Sequence, residues 1–256
     1  MRFFVAQLVR FAWAEAKACG FAVGLFAGLA LSSVLPLPVP RYDALLLYAL
    51  ALTVVFRVMR WETTEEVAVI GCFHVVGLAF ELVKVRLGSW SYPEDAYTKF
   101  FGVPLYSGFL YAAVGSYVCA AWRILSLRLV AYRALPVTLL AVAIYVNFVS
   151  HHWWVDLRVP LAVLLVVVTW GTAVWFTVGG HRYRLPLAPA LLLTGFFLWV
   201  AENVATFFGA WEYPHQRDGW RLVHTGKIGA WALLVTVSFV IVASWRGARE
   251  RRVRAG

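Results

Sequence analysis

Charge is scarce in this chain of 256 residues: 14% of positions are Asp, Glu, Lys or Arg, against 62% hydrophobic. A soluble domain carries about 25% charged residues, so a soluble globular enzyme is excluded as the main class. Carboxylates are the rarer sign, 13 against 23 Lys and Arg, and one inside an apolar run is costly enough to need a reason. Cysteine is nearly absent. Cys19, Cys72 and Cys119 sit singly in apolar runs with no Cys-x-x-Cys spacing, which excludes a disulfide framework and a thiolate metal site and leaves small apolar packing. Also missing are a phosphate-binding Gly-rich loop with its Lys, a Gly-x-Ser-x-Gly elbow and a His-Glu-x-x-His helix. Nucleotide-driven and standard hydrolase chemistry is therefore not indicated, and no cofactor is implied.

What the chain has is length in apolar runs, with a mean hydropathy of +0.75. Runs near the bilayer-spanning length predict an all-α, polytopic membrane bundle with eight spans at roughly 20–36, 43–59, 66–86, 104–125, 134–150, 158–178, 185–208 and 225–246. Residues 1–17, with Gln7, Arg10 and Lys17 close to one helical face, predict an interfacial helix before them. Lys and Arg divide 15 to 8 between the two sets of loops and ends. By the positive-inside rule both termini are cytoplasmic, 247–256 is a basic cytoplasmic tail, and the net charge of +10 calls for membrane lipids as neighbours rather than nucleic acid.

One pattern returns. Glu81, Gly88, Trp90, Tyr92 and Pro93 reappear 121 residues later as Glu202, Gly209, Trp211, Tyr213 and Pro214, and the apolar run at 104–125 shifts onto 225–246. This predicts a duplicated unit inside a single membrane domain, repeat 1 at about 20–125 and repeat 2 at about 134–246. With four helices each, the repeats are parallel, related by an axis along the membrane normal.

Each glutamate lies seven residues before its glycine, about 10 Å inside the helix end. Ionisable groups at such depth usually face the bundle interior and mark a functional site. Lys84 follows Glu81 by three residues, whereas Ala205 holds the matching place after Glu202, so the two acids have unequal surroundings suited to one acid and one base. The candidate catalytic set is Glu81, Glu202 and Lys84. Trp90, Tyr92, Trp211, Tyr213, Tyr106, His74 and Asn203 are candidates to line an outward-opening cavity for a lipid or isoprenoid chain. The structural alternative makes the two glutamates packing devices, bonded to loop amides or to the Trp and Tyr of their own repeat. His151, His152 and Asp156 are a weaker metal candidate whose spacing matches no familiar ligand signature. Gly20, Gly24 and Gly28 form a small-xxx-small stripe, read first as internal packing and second as a homodimer face.

The stretch from Glu81 to Tyr117, with Gly88-Ser89-Trp90-Ser91-Tyr92-Pro93-Glu94 and Gly102-Val103-Pro104-Leu105-Tyr106-Ser107-Gly108, resembles the bacterial membrane family known as domain of unknown function 817. That resemblance covers nearly the whole chain and implies a multi-span protein of the bacterial cytoplasmic membrane. A weaker likeness is to membrane-embedded carotenoid enzymes, the lycopene cyclases and carotenoid hydratase-like proteins. The Pro-x-Glu-Glu of the cyclases is replaced here by Pro104-Leu105-Tyr106-Ser107, so this likeness implies a scaffold and not cyclase chemistry. The paired acids are read first as those of an enzyme acting on a lipid or isoprenoid, with a small-solute or proton-coupled transporter and a non-catalytic lipid-binding protein as the alternatives.

Overall fold

The computed structural model describes residues 2–255. In chain order its helices are α1 (Arg2–Ala18), α2 (Gly20–Ser32), α3 (Arg41–Val58), α4 (Thr64–Arg86), α5 (Gly108–Ile124), α6 (Ala134–Ser150), α7 (Arg158–Val168), α8 (Leu187–Phe207) and α9 (Lys227–Ala255). The strands are β1 (Lys99–Phe100), β2 (Val103–Pro104), β3 (Arg128–Val130), β4 (Ala173–Val178) and β5 (His181–Pro186), and short 3-10 turns cover Leu105–Ser107 and Pro214–Gln216. The stretch expected as a helix at 1–17 is helical as α1, and the expected basic tail at 247–256 continues α9 as far as Ala255, Met1 and Gly256 lying outside the described residues.

The chain is mostly helical, but it does not build eight spans in two repeats. Among the described residues, α4, α8 and α9 over Lys227–Arg249 are long and apolar enough to cross a membrane, with a fourth span if α1 and α2 act as one broken helix. Helices α6 and α7 are apolar but shorter. The clearest correction falls on the expected span at 158–178. Its first half, α7, has 11 residues and reaches only about 16 Å, half the hydrocarbon thickness. Its second half is β4, which turns at Gly179 and Gly180 (φ +55 and +80) and pairs with β5 in the register Val178↔His181. Two consecutive left-handed residues make the tight hairpin turn whose twist matches antiparallel strands, and glycine adopts them without a Cβ penalty. Strand β3 completes an antiparallel sheet in the order β3-β4-β5.

The chain forms two compact units that cut across the expected repeat boundary: residues 200–224 belong with 18–120, and the remainder forms the other. In the first unit, α4 starts at a capping box. Thr63 accepts from the Glu66 amide (3.1 Å) and Glu66 accepts from the Thr63 amide (2.9 Å), which satisfies two otherwise orphaned donors. Both α4 and α8 end before a left-handed glycine, Gly88 at φ +70 and Gly209 at φ +67, which turns the chain out of the helix. Two apolar clusters hold this unit, one around Phe21, Leu25, Ile70 and Phe109, the other around Leu29, Tyr42, Tyr92, Tyr106 and Ala205.

The stripe of Gly20, Gly24 and Gly28 is used inside the chain. A Cβ at these positions would meet Phe56 at 3.5 Å, Leu52 at 3.0 Å and Tyr48 at 2.5 Å, so α3 lays residues at the same four-residue spacing into the groove. The Tyr48 hydroxyl then donates to the Gly24 carbonyl at 2.8 Å. This face, also read as a homodimer candidate, is therefore covered by α3. Gly28→Leu should lower stability by about 2 kcal/mol through overpacking, read as an earlier thermal transition in detergent, while Gly71→Leu, where a Cβ meets nothing within 4 Å, should leave it unchanged.

In the second unit α6 packs against α7 and α9. Trp122 stacks on Phe239 at 5.7 Å and the Arg246 guanidinium covers Trp122 at 5.6 Å. One face of the sheet lies on α1 through Phe11 against Phe176 (5.6 Å), with Phe176 stacked on Tyr183 (5.5 Å) and Gln7 Nε2 3.1 Å from His181 Nδ1.

Candidate functional site

The first unit contains both copies of the repeated motif, and the first glutamate is enclosed by aromatic donors. Glu81 is 3% exposed. Its Oε2 accepts from Trp90 Nε1 at 2.7 Å and from the Tyr92 hydroxyl at 2.8 Å, and its Oε1 accepts from the Tyr111 hydroxyl at 2.7 Å. Three donors can carry a buried negative charge that an apolar wall would reject. The loop reaches back because Gly88 reverses the chain, bringing Trp90 and Tyr92 beside the helix they follow. Tyr111 arrives from α5 over Gly77, where a Cβ would stand 2.5 Å from its ring. Gly77→Ala should therefore displace the Tyr111 donor and cost about 1 to 3 kcal/mol, seen as a lowered melting temperature that Tyr111→Phe does not lower further.

The second copy repeats the central contact. Glu202, also 3% exposed, accepts from the Tyr213 hydroxyl, so in each copy the tyrosine eleven residues on is bonded to the glutamate. The two loops are joined at equivalent positions: Ser91 and Glu212 exchange both backbone N–H···O bonds at 3.0 Å, and the Ser91 hydroxyl donates to Glu212 Oε1 at 3.1 Å. A residue pairing antiparallel with its own counterpart is what local twofold symmetry between the copies produces. Across this junction the Trp90 and Tyr213 rings meet edge-on at 6.0 Å. Tyr111, bonded to Glu81, is also within electrostatic reach of Glu202 and Tyr213. The centre is thus two carboxylates and a run of phenols and indoles in one enclosure.

Arg41 holds the loops from below, and nothing in the sequence singled it out. Its guanidinium donates to Glu94 Oε1 (2.7 Å), Ser32 Oγ (3.0 Å), the Leu29 and Gly209 carbonyls (3.3 Å each) and the Phe208 carbonyl. Those carbonyls lie in the last turn of α2 and just past the end of α8, at the negative ends of two helix dipoles. Beside it, Asp43 accepts from the Tyr97 amide (2.8 Å), the Thr98 amide (2.9 Å) and the Thr98 hydroxyl (2.5 Å), and Lys99 Nζ donates to the Tyr92 and Glu94 carbonyls at 2.8 and 2.9 Å. The long loop after α4 is therefore pinned by three charges before it reaches β1.

A family model described as "Protein of unknown function (DUF817)" matches residues 7–239. The chain belongs to this family. It is 51% identical over 249 residues to the "Uncharacterized protein YoaT" of Bacillus subtilis (strain 168), a match covering 96% of this chain and 94% of that protein. No solved structure matches it, and the carotenoid-enzyme likeness gains no support from these comparisons.

In this DUF817 chain the other sequence candidates fall in different places. Lys84 is buried, with its Nζ 5.5 Å from the Phe80 ring centroid. Asn203 Oδ1 accepts from the Val223 amide at 2.9 Å, which ties down the second loop. Tyr106 is fully buried, donates to the Ala210 carbonyl and stacks on Tyr42 at 5.2 Å, so it packs between the loops. His74 lies against Phe109 at 4.5 Å and over Gly108. Trp90 and Trp211 are half-buried, whereas Tyr92 and Tyr213 are buried.

The metal candidate does not assemble. His151 Nδ1 lies 3.0 Å from the Asn147 carbonyl, and Asp156 is bonded to Arg158 Nε at 2.8 Å. Among the described residues no group of three or more His, Cys, Asp or Glu side chains could hold a metal. The bond from Arg158 draws the Asp156 carboxyl down to about 2. A depressed carboxyl stabilises above its ordinary value and loses that contribution only as pH falls through about 2. Acidification to pH 4 should therefore leave this exposed pair, and the melting temperature of Asp156→Asn relative to wild type, unchanged.

Proposed function

We propose that this DUF817 protein is a multi-pass protein of the bacterial cytoplasmic membrane whose paired-glutamate centre binds and releases protons in the coupled transport of a small solute. The observation that carries this reading is the enclosure of Glu81: both oxygens are taken by Trp90, Tyr92 and Tyr111. A general acid or base must touch its substrate, but a proton carrier needs only a hydrogen-bonded path, and carboxylates within membrane bundles commonly serve as relays. Three or four apolar helices long enough to span and a bacterial relative across almost the full length support the membrane placement.

The second reading, an enzyme acting on a lipid or isoprenoid, is favoured by the half-buried Trp90 and Trp211 beside the carboxylates. One experiment separates the two. Everted membrane vesicles carrying the protein are energised and their internal acidity followed by acridine-dye quenching while pools of inorganic ions, amino acids and sugars are added. Proton-coupled transport gives dequenching with at least one pool, added outside for an antiporter or loaded inside for a symporter, and Glu81→Gln abolishes it. No dequenching with any pool, together with a lipid species in whole-cell extracts that changes with Glu81→Gln, would replace it with the enzyme reading.

A further inference from the structure

The sheet that replaced the expected sixth span has one face that the paired-glutamate centre does not explain. Residues opposite one another in an antiparallel register share a face. Trp175 of β4 stands opposite Arg128 of β3 on one side and Arg184 of β5 on the other, and Thr177, two residues along β4, stands opposite Arg182. Arg128, Arg182, Arg184, Trp175 and Thr177 therefore share one face. The other face carries Val174, Leu185, Phe176 and Tyr183 and is the one covered by α1. All three arginines are exposed, and among the described residues none of their side chains makes a hydrogen bond or ion pair. An arrangement of arginine, tryptophan and arginine in one row across three strands, with no carboxylate opposite, has its charge uncompensated.

We propose that this face binds the anionic headgroups of the surrounding bilayer, phosphatidylglycerol-like lipids in the leaflet on the side of the basic loops. The proposal rests on the membrane reading above. Strand β5 passes into α8 without a linker, Pro186 to Leu187, and α8 is long and apolar enough to span. Arg184 and Arg182 precede that span by three and five residues, roughly 10 and 17 Å along an extended strand, which is the headgroup depth. Basic clusters beside a span attract anionic lipid, guanidinium forks match phosphate oxygens in pairs, and indoles favour the interface. Arg133, which follows β3, donates to the Val168 carbonyl at 2.9 Å, so the end of α7 is held at the same sheet. The basic residues that follow α5 and β4 are thus brought together in this sheet.

The test uses the full chain purified in a mild detergent and native mass spectrometry with equimolar phosphatidylglycerol and phosphatidylcholine. Each arginine near a headgroup surface changes association by about fivefold. Wild type should retain phosphatidylglycerol over phosphatidylcholine, with a preference at least about tenfold greater than the Arg128→Gln, Arg182→Gln, Arg184→Gln variant. The changes are on exposed side chains, and the pair Arg217→Gln, Arg221→Gln in the second loop should keep the wild-type preference. Equal preference in wild type and triple variant, or an equal loss in the loop pair, overturns the proposal. Loss of poly-glutamate binding with headgroup preference unchanged also overturns it, in favour of a soluble acidic partner. A chain extracted from membranes by carbonate would instead sink the membrane reading itself.

Discussion

Arg41→Ala is expected to give the largest loss of stability in the chain, about 3 to 5 kcal/mol, enough to prevent accumulation of folded protein. The side chain is 12% exposed and serves five acceptors. Its removal leaves the carbonyls of Leu29, Phe208 and Gly209 without that donor, at about 1 to 3 kcal/mol for each one that water does not reach. The pair with Glu94 contributes less, because that carboxylate is 39% exposed and is screened by solvent. Glu94→Gln alone should therefore cost under about 1 kcal/mol. Arg41→Lys keeps the charge but not the planar fork, so it should recover less than half of the loss. Thermal melting of the three variants in detergent checks the order. An Arg41→Ala protein that melts with wild type would remove Arg41 as the clasp between the ends of α2 and α8.

The second large effect is a contrast at one position. Glu81→Ala strips the acceptor from Trp90, Tyr92 and Tyr111 together, leaving a cavity and three donors without that partner, and should cost about 4 kcal/mol. Glu81→Gln should cost under about 1.5 kcal/mol. The amide oxygen can take the place of Oε2, where the indole N–H can only donate, and the amide nitrogen can take the place of Oε1. There the Tyr111 hydroxyl reverses its role and accepts, since a phenol is donor and acceptor alike. Paired melting curves read the contrast. If the two variants melt together, the donors are not what holds the carboxylate. If they separate as expected, Glu81→Gln is a folded protein without a titratable group, which is the condition the vesicle experiment requires.

The repeated glutamate, glycine, tryptophan and tyrosine were legible because the copies sit at one fixed offset, and the structure brings both into one unit with each tyrosine on its own glutamate. The structural alternative read from the sequence, carboxylates bonded to the Trp and Tyr of their own repeat, describes the Glu81 cage. The Tyr111 donor to Glu81 could not be read from helical spacing. Spacing on a helix says which side chains are neighbours, not which donor reaches first, and Tyr111 comes from another helix. Arg41 and Asp43 were illegible for the same reason: their partners lie between 9 and 168 residues away. The hairpin at Gly179-Gly180 was in the sequence, a two-glycine turn between alternating residues, but the apolar length around it outweighed the signal.

By itself the sequence determined the class and the local geometry: helices from long apolar runs, their ends from Gly88 and Gly209, the inward acids from their place two turns before those ends, and membership in DUF817. These are properties of neighbouring residues, set by backbone sterics and by the cost of apolar surface in water. Only the tertiary structure decided which runs are long enough to span, that the two loops join at Ser91 and Glu212, that Arg41 closes two helix ends, and that three arginines share a sheet face. Those outcomes depend on hydrogen bonds between segments far apart in the chain, whose partners are chosen by packing rather than by sequence distance.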